Sequence, residues 1–212
     1  MAIVYMAKEL NRLLDELQAE GRPQIGGVSM REPSLMPPFC RQGNKYIHRK
    51  KIIPLIPPHD RYVELFAGSG AIFYNKEKAT ENILNDLDKG VVKRFNMIKT
   101  ATPDMDGKII KKYDDAHTFF FLDPPYENTD KDFQYAEDVG FDFERLADEL
   151  RGIKGKFLMT INDSPTIRRL FKDFTSQAWG VPTGWGTKGN KGRKHVIRRE
   201  LLISNYRQRI YN

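Results

Sequence analysis

Arg61-Tyr62-Val63-Glu64-Leu65-Phe66-Ala67-Gly68-Ser69-Gly70, followed by the helix-like Ala71–Lys78, is the stretch that decides the fold. A short apolar run enters a loop containing two glycines and leaves it as a helix, the opening of a strand–loop–helix unit in an α/β sheet. Glycine lets the backbone approach a ligand closely, and the first N–H groups of a helix favour an anionic group. Gly68 and Gly70 alone do not complete G-x-G-x-x-G, and the lysine of a phosphate loop is absent. About 20 residues further on, Ile83-Leu84-Asn85-Asp86 reads as a second strand ending in an acid, a position that reaches ribose hydroxyls in nucleotide-type folds. A nucleoside unit without phosphate machinery points to adenosine carried on something other than phosphate, and S-adenosylmethionine fits.

Working outward, the apolar run Thr118–Leu122 stops at Asp123-Pro124-Pro125-Tyr126. Neither proline has a backbone N–H, and each holds the residue before it extended, so a buried strand ends there abruptly. It presents a carboxylate, a rigid carbonyl and an aromatic ring at one edge of the sheet. That set suits a flat, amine-bearing ring. The amine donates to Asp123 and to the Pro124 carbonyl, and Tyr126 stacks on the ring face. A plain strand-ending turn is the alternative reading of these four residues alone.

Phe66-Ala67-Gly68-Ser69-Gly70 followed by Asp123-Pro124-Pro125-Tyr126 resembles the S-adenosylmethionine-dependent DNA adenine-N6 methyltransferases, in particular the Dam-like (class alpha) family. Phe39-Cys40-Arg41-Gln42-Gly43-Asn44-Lys45 is similar to that family's N-terminal cofactor segment, with Asn44 where a second glycine is usual. Leu158-Met159-Thr160-Ile161-Asn162-Asp163-Ser164 and Arg199-Glu200-Leu201-Leu202-Ile203-Ser204-Asn205-Tyr206 are similar to later family blocks, so the resemblance runs from Phe39 to Tyr206. It implies a Rossmann-like methyltransferase fold, a mostly parallel sheet with an antiparallel C-terminal hairpin. It implies S-adenosylmethionine as cofactor, with Phe66, Ala67, Gly68, Ser69 and Gly70 around its methionine part. Asp86 is implied at the ribose, Lys45 near the methionine carboxylate, and Glu64 at the base of the loop. Asp123, Pro124, Pro125 and Tyr126 are implied as the catalytic set. The family normally carries a target-recognition region between the two motifs. Here 52 residues, Ala71 to Leu122, separate them, and a strand at Ile83, a helix near Lys89–Lys99 and a strand near Lys108–Tyr113 fill nearly all of that. The expectation is therefore a minimal catalytic domain.

The net charge of +7 is local. Val181–Asn212 holds eight basic residues and one acid, so the rest of the chain is balanced. Such a patch suits a phosphate backbone, bound by counterion release. Between two expected strands, near Phe174–Gly180 and Val196–Asn205, the Gly-rich loop carries Trp185, Lys188 and Lys191, with Arg193 and Lys194 just beyond. These five are read as nucleic-acid contacts, an aromatic wedge among cations; an ordinary long hairpin loop is the competing reading. A single cysteine, Cys40, excludes an internal disulfide and a thiolate metal site, and four scattered histidines have no zinc-like spacing. No metal is expected.

The length suits one catalytic domain over residues 39–212, preceded by an N-terminal helix and linker over 1–38. Leu10, Leu13, Leu14 and Leu17 recur at helical spacing within Met1–Glu20, an amphipathic helix that packs on its own domain or on a homodimer mate or specificity partner. Lys45–Ile56, Phe141–Arg151 and Pro165–Lys172 read as helices, the last capped by Ser164. No apolar run approaches the roughly 20 residues of a membrane span, and no leader pattern is present. A cytoplasmic enzyme of a bacterial or virus-infected cell is expected. The reading is a DNA methyltransferase acting on the N6 amine of a flipped adenine. Cytosine N4, adenine in RNA, glutamine in a protein, and a non-catalytic nucleic-acid-binding homologue are the alternatives.

Overall fold

A computed structural model describes residues 2–6, 37, 43, 45–86, 88, 90–91, 108–127, 141–183 and 196–208. Among these residues seven strands form one sheet: β1 (Ala2–Met6), β2 (Arg61–Glu64), β3 (Glu81–Asn85), β4 (Thr118–Leu122), β5 (Lys156–Asn162), β6 (Thr175–Thr183) and β7 (Val196–Ser204). Their order is β1-β3-β2-β4-β5-β7-β6. The central pairs β3–β2, β2–β4 and β4–β5 are parallel, while β5–β7 and β7–β6 are antiparallel. The mostly parallel α/β sheet with its antiparallel C-terminal pair agrees with the expectation from sequence.

Alternate residues of each central strand go to opposite faces, which is why these strands read as continuous apolar runs. Tyr62, Phe119, Phe121, Leu158 and Leu202 pack on one face with Ile52, Ile72 and Phe73. Val63, Phe120, Leu122, Phe157, Met159, Ile161, Leu201 and Ile203 pack on the other. The first face is covered by α1 (Arg49–Ile52) with its 3₁₀ continuation Ile53–Leu55, and by α2 (Ala71–Asn75). The second is covered by α3 (Lys108–Tyr113), α4 (Phe143–Arg151) and α5 (Pro165–Leu170). Asp142 caps α4 by accepting from the Arg145 N–H at 2.9 Å, and Ser164 caps α5 by accepting from Ile167 at 3.2 Å, with Pro165 in the first turn.

The chain turns in opposite directions from β2: to β3 on one side, then back across to β4 on the other. The carboxyl ends of β2 and β4 therefore flank a topological switch point, the place where open α/β sheets bind ligands.

Two expectations are corrected. Ala2–Met6, read as the start of an amphipathic helix, is a strand antiparallel to β3. Lys108–Tyr113, read as a strand, is helix α3, with Ile109, Ile110 and Tyr113 buried at helical spacing. The four leucines of the expected N-terminal helix, the linker apart from Pro37, and most of the helix near Lys89–Lys99 lie outside the described residues.

Candidate active site

The glycine loop is pinned to the end of β3 by backbone geometry. Ala67 N–H donates to the Asn85 carbonyl at 2.8 Å, and Gly70 N–H donates to the Ala67 carbonyl at 2.7 Å. The Asn85 side-chain amide donates to the Leu65 carbonyl at 2.8 Å. Gly68 and Gly70 both have positive φ, 52° and 70°, conformations that L side chains rarely adopt. A side chain at Gly68 would project into open space. Asp86 accepts from the Gly68 N–H at 2.7 Å with one oxygen and from the Asp88 N–H at 2.9 Å with the other. It thus holds the loop from the position where the sequence reading expects a ribose contact.

Ser69 is buried, and its hydroxyl has no hydrogen-bond partner. A buried hydroxyl without a partner is costly, so one supplied by a ligand is consistent with its position. The open face at Gly68 and this hydroxyl fit the close approach of a nucleoside-type cofactor. Phe66 packs edge-on against Phe141 at 5.5 Å, on the side of the loop facing α4. Glu64, at the end of β2, is buried and accepts from the Tyr62 hydroxyl at 2.8 Å. Burial pushes its carboxyl up to about 8. On the same face the Lys76 ammonium stands 4.1 Å over the Tyr62 ring, and burial lowers it to about 7.

The second motif ends the neighbouring strand, β4. Pro124 is buried, Pro125 exposed, and Asp123 and Tyr126 are half-buried. Asp123 is held from two sides. The Thr160 hydroxyl of β5 donates to it at 2.8 Å, and the Lys45 ammonium lies 2.7 Å from the same oxygen and 2.8 Å from the other. Lys45 also donates to the Tyr126 hydroxyl at 3.2 Å and to the Gly43 carbonyl at 3.2 Å. Burial, together with the nearby carboxylates of Asp123 and of Glu200 on β7, raises the Tyr126 hydroxyl far above the ordinary tyrosine range. Downstream, Asn162 clasps the backbone of Glu127 in both directions, at 3.0 and 3.2 Å, and the Ser164 hydroxyl bonds the Glu127 carboxylate.

The expected catalytic residues and the expected cofactor loop therefore end adjacent parallel strands, and Lys45 lies against Asp123 and Tyr126. Thr160, Asn162 and Glu200 are the residues the sequence reading missed as site residues. Their signal was a polar residue inside an otherwise apolar strand: Thr160 in Phe157–Ile161, and Glu200 before Leu201–Ile203. Trp185, Lys188, Lys191, Arg193 and Lys194 lie outside the described residues. Among the described residues, no group of three or more His, Cys, Asp or Glu side chains could hold a metal ion. Nor is any helix among them long and apolar enough to cross a membrane.

Among curated proteins, the chain is 26% identical over 98 residues to the type II methyltransferase M.CviBI of Paramecium bursaria Chlorella virus NC1A, a stretch covering 46% of this chain. The chain spans 38% of the length of that relative. Among solved structures it is similar to a precorrin-8w decarboxylase of Methanobacterium thermoautotrophicum, at 13% identity and TM-score 0.48, covering 76% of this chain and 89% of that one. It is also similar to a precorrin-6y C5,15-methyltransferase of Geobacter metallireducens, at 11% identity and TM-score 0.47, covering 74% and 86%. Residues 42–109, from Gln42 through the glycine loop to α3, match the family model of the D12 class N6 adenine-specific DNA methyltransferases.

Proposed function

We propose that this chain is a DNA adenine-N6 methyltransferase using S-adenosylmethionine. One observation supports the reading above the others: Asp123-Pro124-Pro125-Tyr126 ends β4 directly beside the glycine loop that ends β2, at the switch point of the sheet. S-adenosylmethionine supplies an electrophilic methyl group on a sulfonium. The residues that would hold it are Phe66–Gly70 at the methionine part, with Glu64 at the loop's base and Asp86 at the ribose.

An exocyclic aromatic amine is a poor nucleophile because its lone pair is delocalised into the ring. Asp123 and the Pro124 carbonyl accept its two N–H groups, which favours a tetrahedral nitrogen and stabilises the positive charge that develops there. Preorganised groups of this kind contribute on the order of 10²–10³ in rate. Thr160 fixes the Asp123 carboxylate, so little reorganisation accompanies the reaction. Tyr126 stacks on the base and offsets part of the cost of taking it out of the duplex. The Lys45 geometry supports a place on the amine side of the site, beside Asp123 and Tyr126, rather than the methionine-carboxylate role drawn from the resemblance.

In this reading the basic loop with Trp185, Lys188, Lys191, Arg193 and Lys194 binds DNA, and a homodimer mate or partner supplies further target specificity. The cell compartment is the cytoplasm of a bacterial or virus-infected cell. The test is labelled S-adenosylmethionine with mixed-sequence DNA, followed by nucleoside digestion and chromatography. Label in N6-methyladenine is the expected result. Label in N4-methylcytosine keeps the clamp and changes the base, and label absent from DNA with cofactor still bound removes DNA as the substrate.

A further inference from the structure

A second basic run lies away from the C-terminus. Between Glu32 and Asp60 the chain carries Arg41, Lys45, Arg49, Lys50 and Lys51 and no acid, a run that acids elsewhere balance in the overall count. Lys45 is engaged with Asp123 and Tyr126. Among the described residues, no carboxylate pairs with Arg49, Lys50 or Lys51. The Arg49 guanidinium lies 3.9 Å over the Tyr46 ring and donates to the Tyr46 carbonyl at 2.6 Å, which holds this cation in one orientation. Lys50 and Lys51 are exposed. Beside them, and also among the described residues, Ile47 is the large apolar side chain left in the open, at 73% exposure. One exposed isoleucine means little alone; its place among unpaired cations gives it a meaning.

Position ties this ridge to the amine clamp. Lys45 fixes one end of the segment at Asp123. The other end rests on β6: His48 meets Trp179 edge-on at 5.1 Å, and the Lys51 ammonium stands 6.0 Å from the centre of that ring. Trp179 is opposite Glu200 of β7, and Glu200 is opposite Asn162, which ends β5 on the clamp side. Strand alternation puts the exposed Arg198 on the same sheet face as Leu202, the face that α1 covers, and further out at that end. Cations of α1 and β7 therefore border one rim. A base seated at Asp123 stays tied through its sugar to phosphates on either side, so its strand has to cross that rim.

We propose that Arg49, Lys50 and Lys51 form a second DNA-contacting ridge, holding phosphates of the strand that carries the target adenine, with Ile47 packed against the bases beside the one that leaves the stack. This rests on the reading of the chain as a DNA methyltransferase. Phosphate contacts of this kind set register without reading sequence, and an apolar side chain among cations suits an unstacked base step.

The test is binding of fluorescently labelled mixed-sequence duplex DNA by the full chain, followed by anisotropy at rising salt. Single-turnover methyl transfer and thermal unfolding are measured on the same variants. Counterion release gives log affinity a slope against log salt of about −0.9 per phosphate neutralised. Lys50→Gln should therefore make the slope shallower by about one, and the triple variant Arg49→Gln, Lys50→Gln, Lys51→Gln by about two to three. Lys111→Gln with Lys112→Gln, exposed cations of α3 on the opposite sheet face, should leave it unchanged. Ile47→Ser should keep the slope and slow transfer to duplex DNA several-fold more than transfer to single-stranded DNA, where less stacking is undone. A wild-type slope in the triple variant, an equal change in the α3 control, or a change seen with RNA and not with DNA overturns the ridge. Equal slowing on both DNA forms removes Ile47 from it. Should the triple variant melt, Lys50→Gln decides, since Lys50 makes no side-chain contact among the described residues. A wild-type chain that binds DNA and moves no methyl counts against the adenine reading instead, and the slopes still decide the ridge.

Discussion

The Lys45 ammonium lies 2.7 Å from the Asp123 carboxylate, and 78 positions of sequence separate the two residues. Lys45 is 6% exposed, so Asp123 rather than water stands against its ammonium. Removing one member of a buried pair leaves the other uncompensated, at a cost of about 3–5 kcal/mol in the fully buried limit. Asp123 is 20% exposed, so the lower end of that range applies. Asp123→Ala should therefore lower the melting temperature as well as abolish transfer, with cofactor affinity nearly intact. Adding Lys45→Met should restore part of the melting temperature and none of the activity. Thermal unfolding of the single and double variants checks this, and a double variant no more stable than the single would contradict it.

Asp86 accepts from the Gly68 N–H and is also proposed at the ribose. Asp86→Ala should weaken cofactor binding on both counts, by tenfold or more on the scale of about 1.4 kcal/mol per decade. Asp86→Asn retains one acceptor oxygen and should lose less. Titration calorimetry with S-adenosylmethionine reads the difference, and an unchanged dissociation constant for Asp86→Ala would remove the ribose assignment.

Gly68 has φ of 52° and open space where a side chain would project. Gly68→Ala should therefore cost only the strain of a left-handed residue, about 1–2 kcal/mol of stability. Its methyl would enter the space proposed for the cofactor, so affinity should fall much further than stability does. Parallel denaturant titration and calorimetry separate the two. Equal losses would mean that the loop does not face the ligand.

Glu64 carries a carboxyl raised to about 8 by burial, against an ordinary value of 4.5. A carboxyl raised on folding contributes stability that is fully present below its unfolded pKa and lost as pH rises through the folded one. The wild-type chain should thus lose stability between about pH 4.5 and pH 8 from this group. Glu64→Gln cannot ionise, so it should gain on the wild type as pH rises across that window, with the largest advantage near pH 8.5. Melting curves at pH 6, 7 and 8.5 test the sign; an advantage that shrinks with pH would be the wrong one.

Much of the placement of the candidate site was legible because it sits where local chemistry and strand position coincide. Thr118–Leu122 is apolar throughout and is stopped by two prolines, so its bounds follow from five residues and their neighbours. The same holds for the strand and glycine loop after Arg61. Where the sequence reading failed, distant partners decided the outcome. Ala2–Met6 is rich in strand formers, yet the leucine period beginning at Leu10 extended a helix over it, and its strand state depends on β3, some 80 residues on. Lys108–Tyr113 is six residues long with two adjacent isoleucines, too short for period alone to separate helix from strand. Thr160 and Glu200 reach the site only through the β4–β5–β7 pairing, a register that no local motif encodes.

The antiparallel run of β1 along β3 sets Ala2 opposite Asn85, at the end of β3 that continues into Asp86. Whatever is joined ahead of Ala2 thus starts at the rim of the proposed cofactor side, whereas the opposite end of β1 points away from it. A purification tag or fused partner attached there would stand guard over the ligand entrance, and the linker's length would govern how freely S-adenosylmethionine comes and goes.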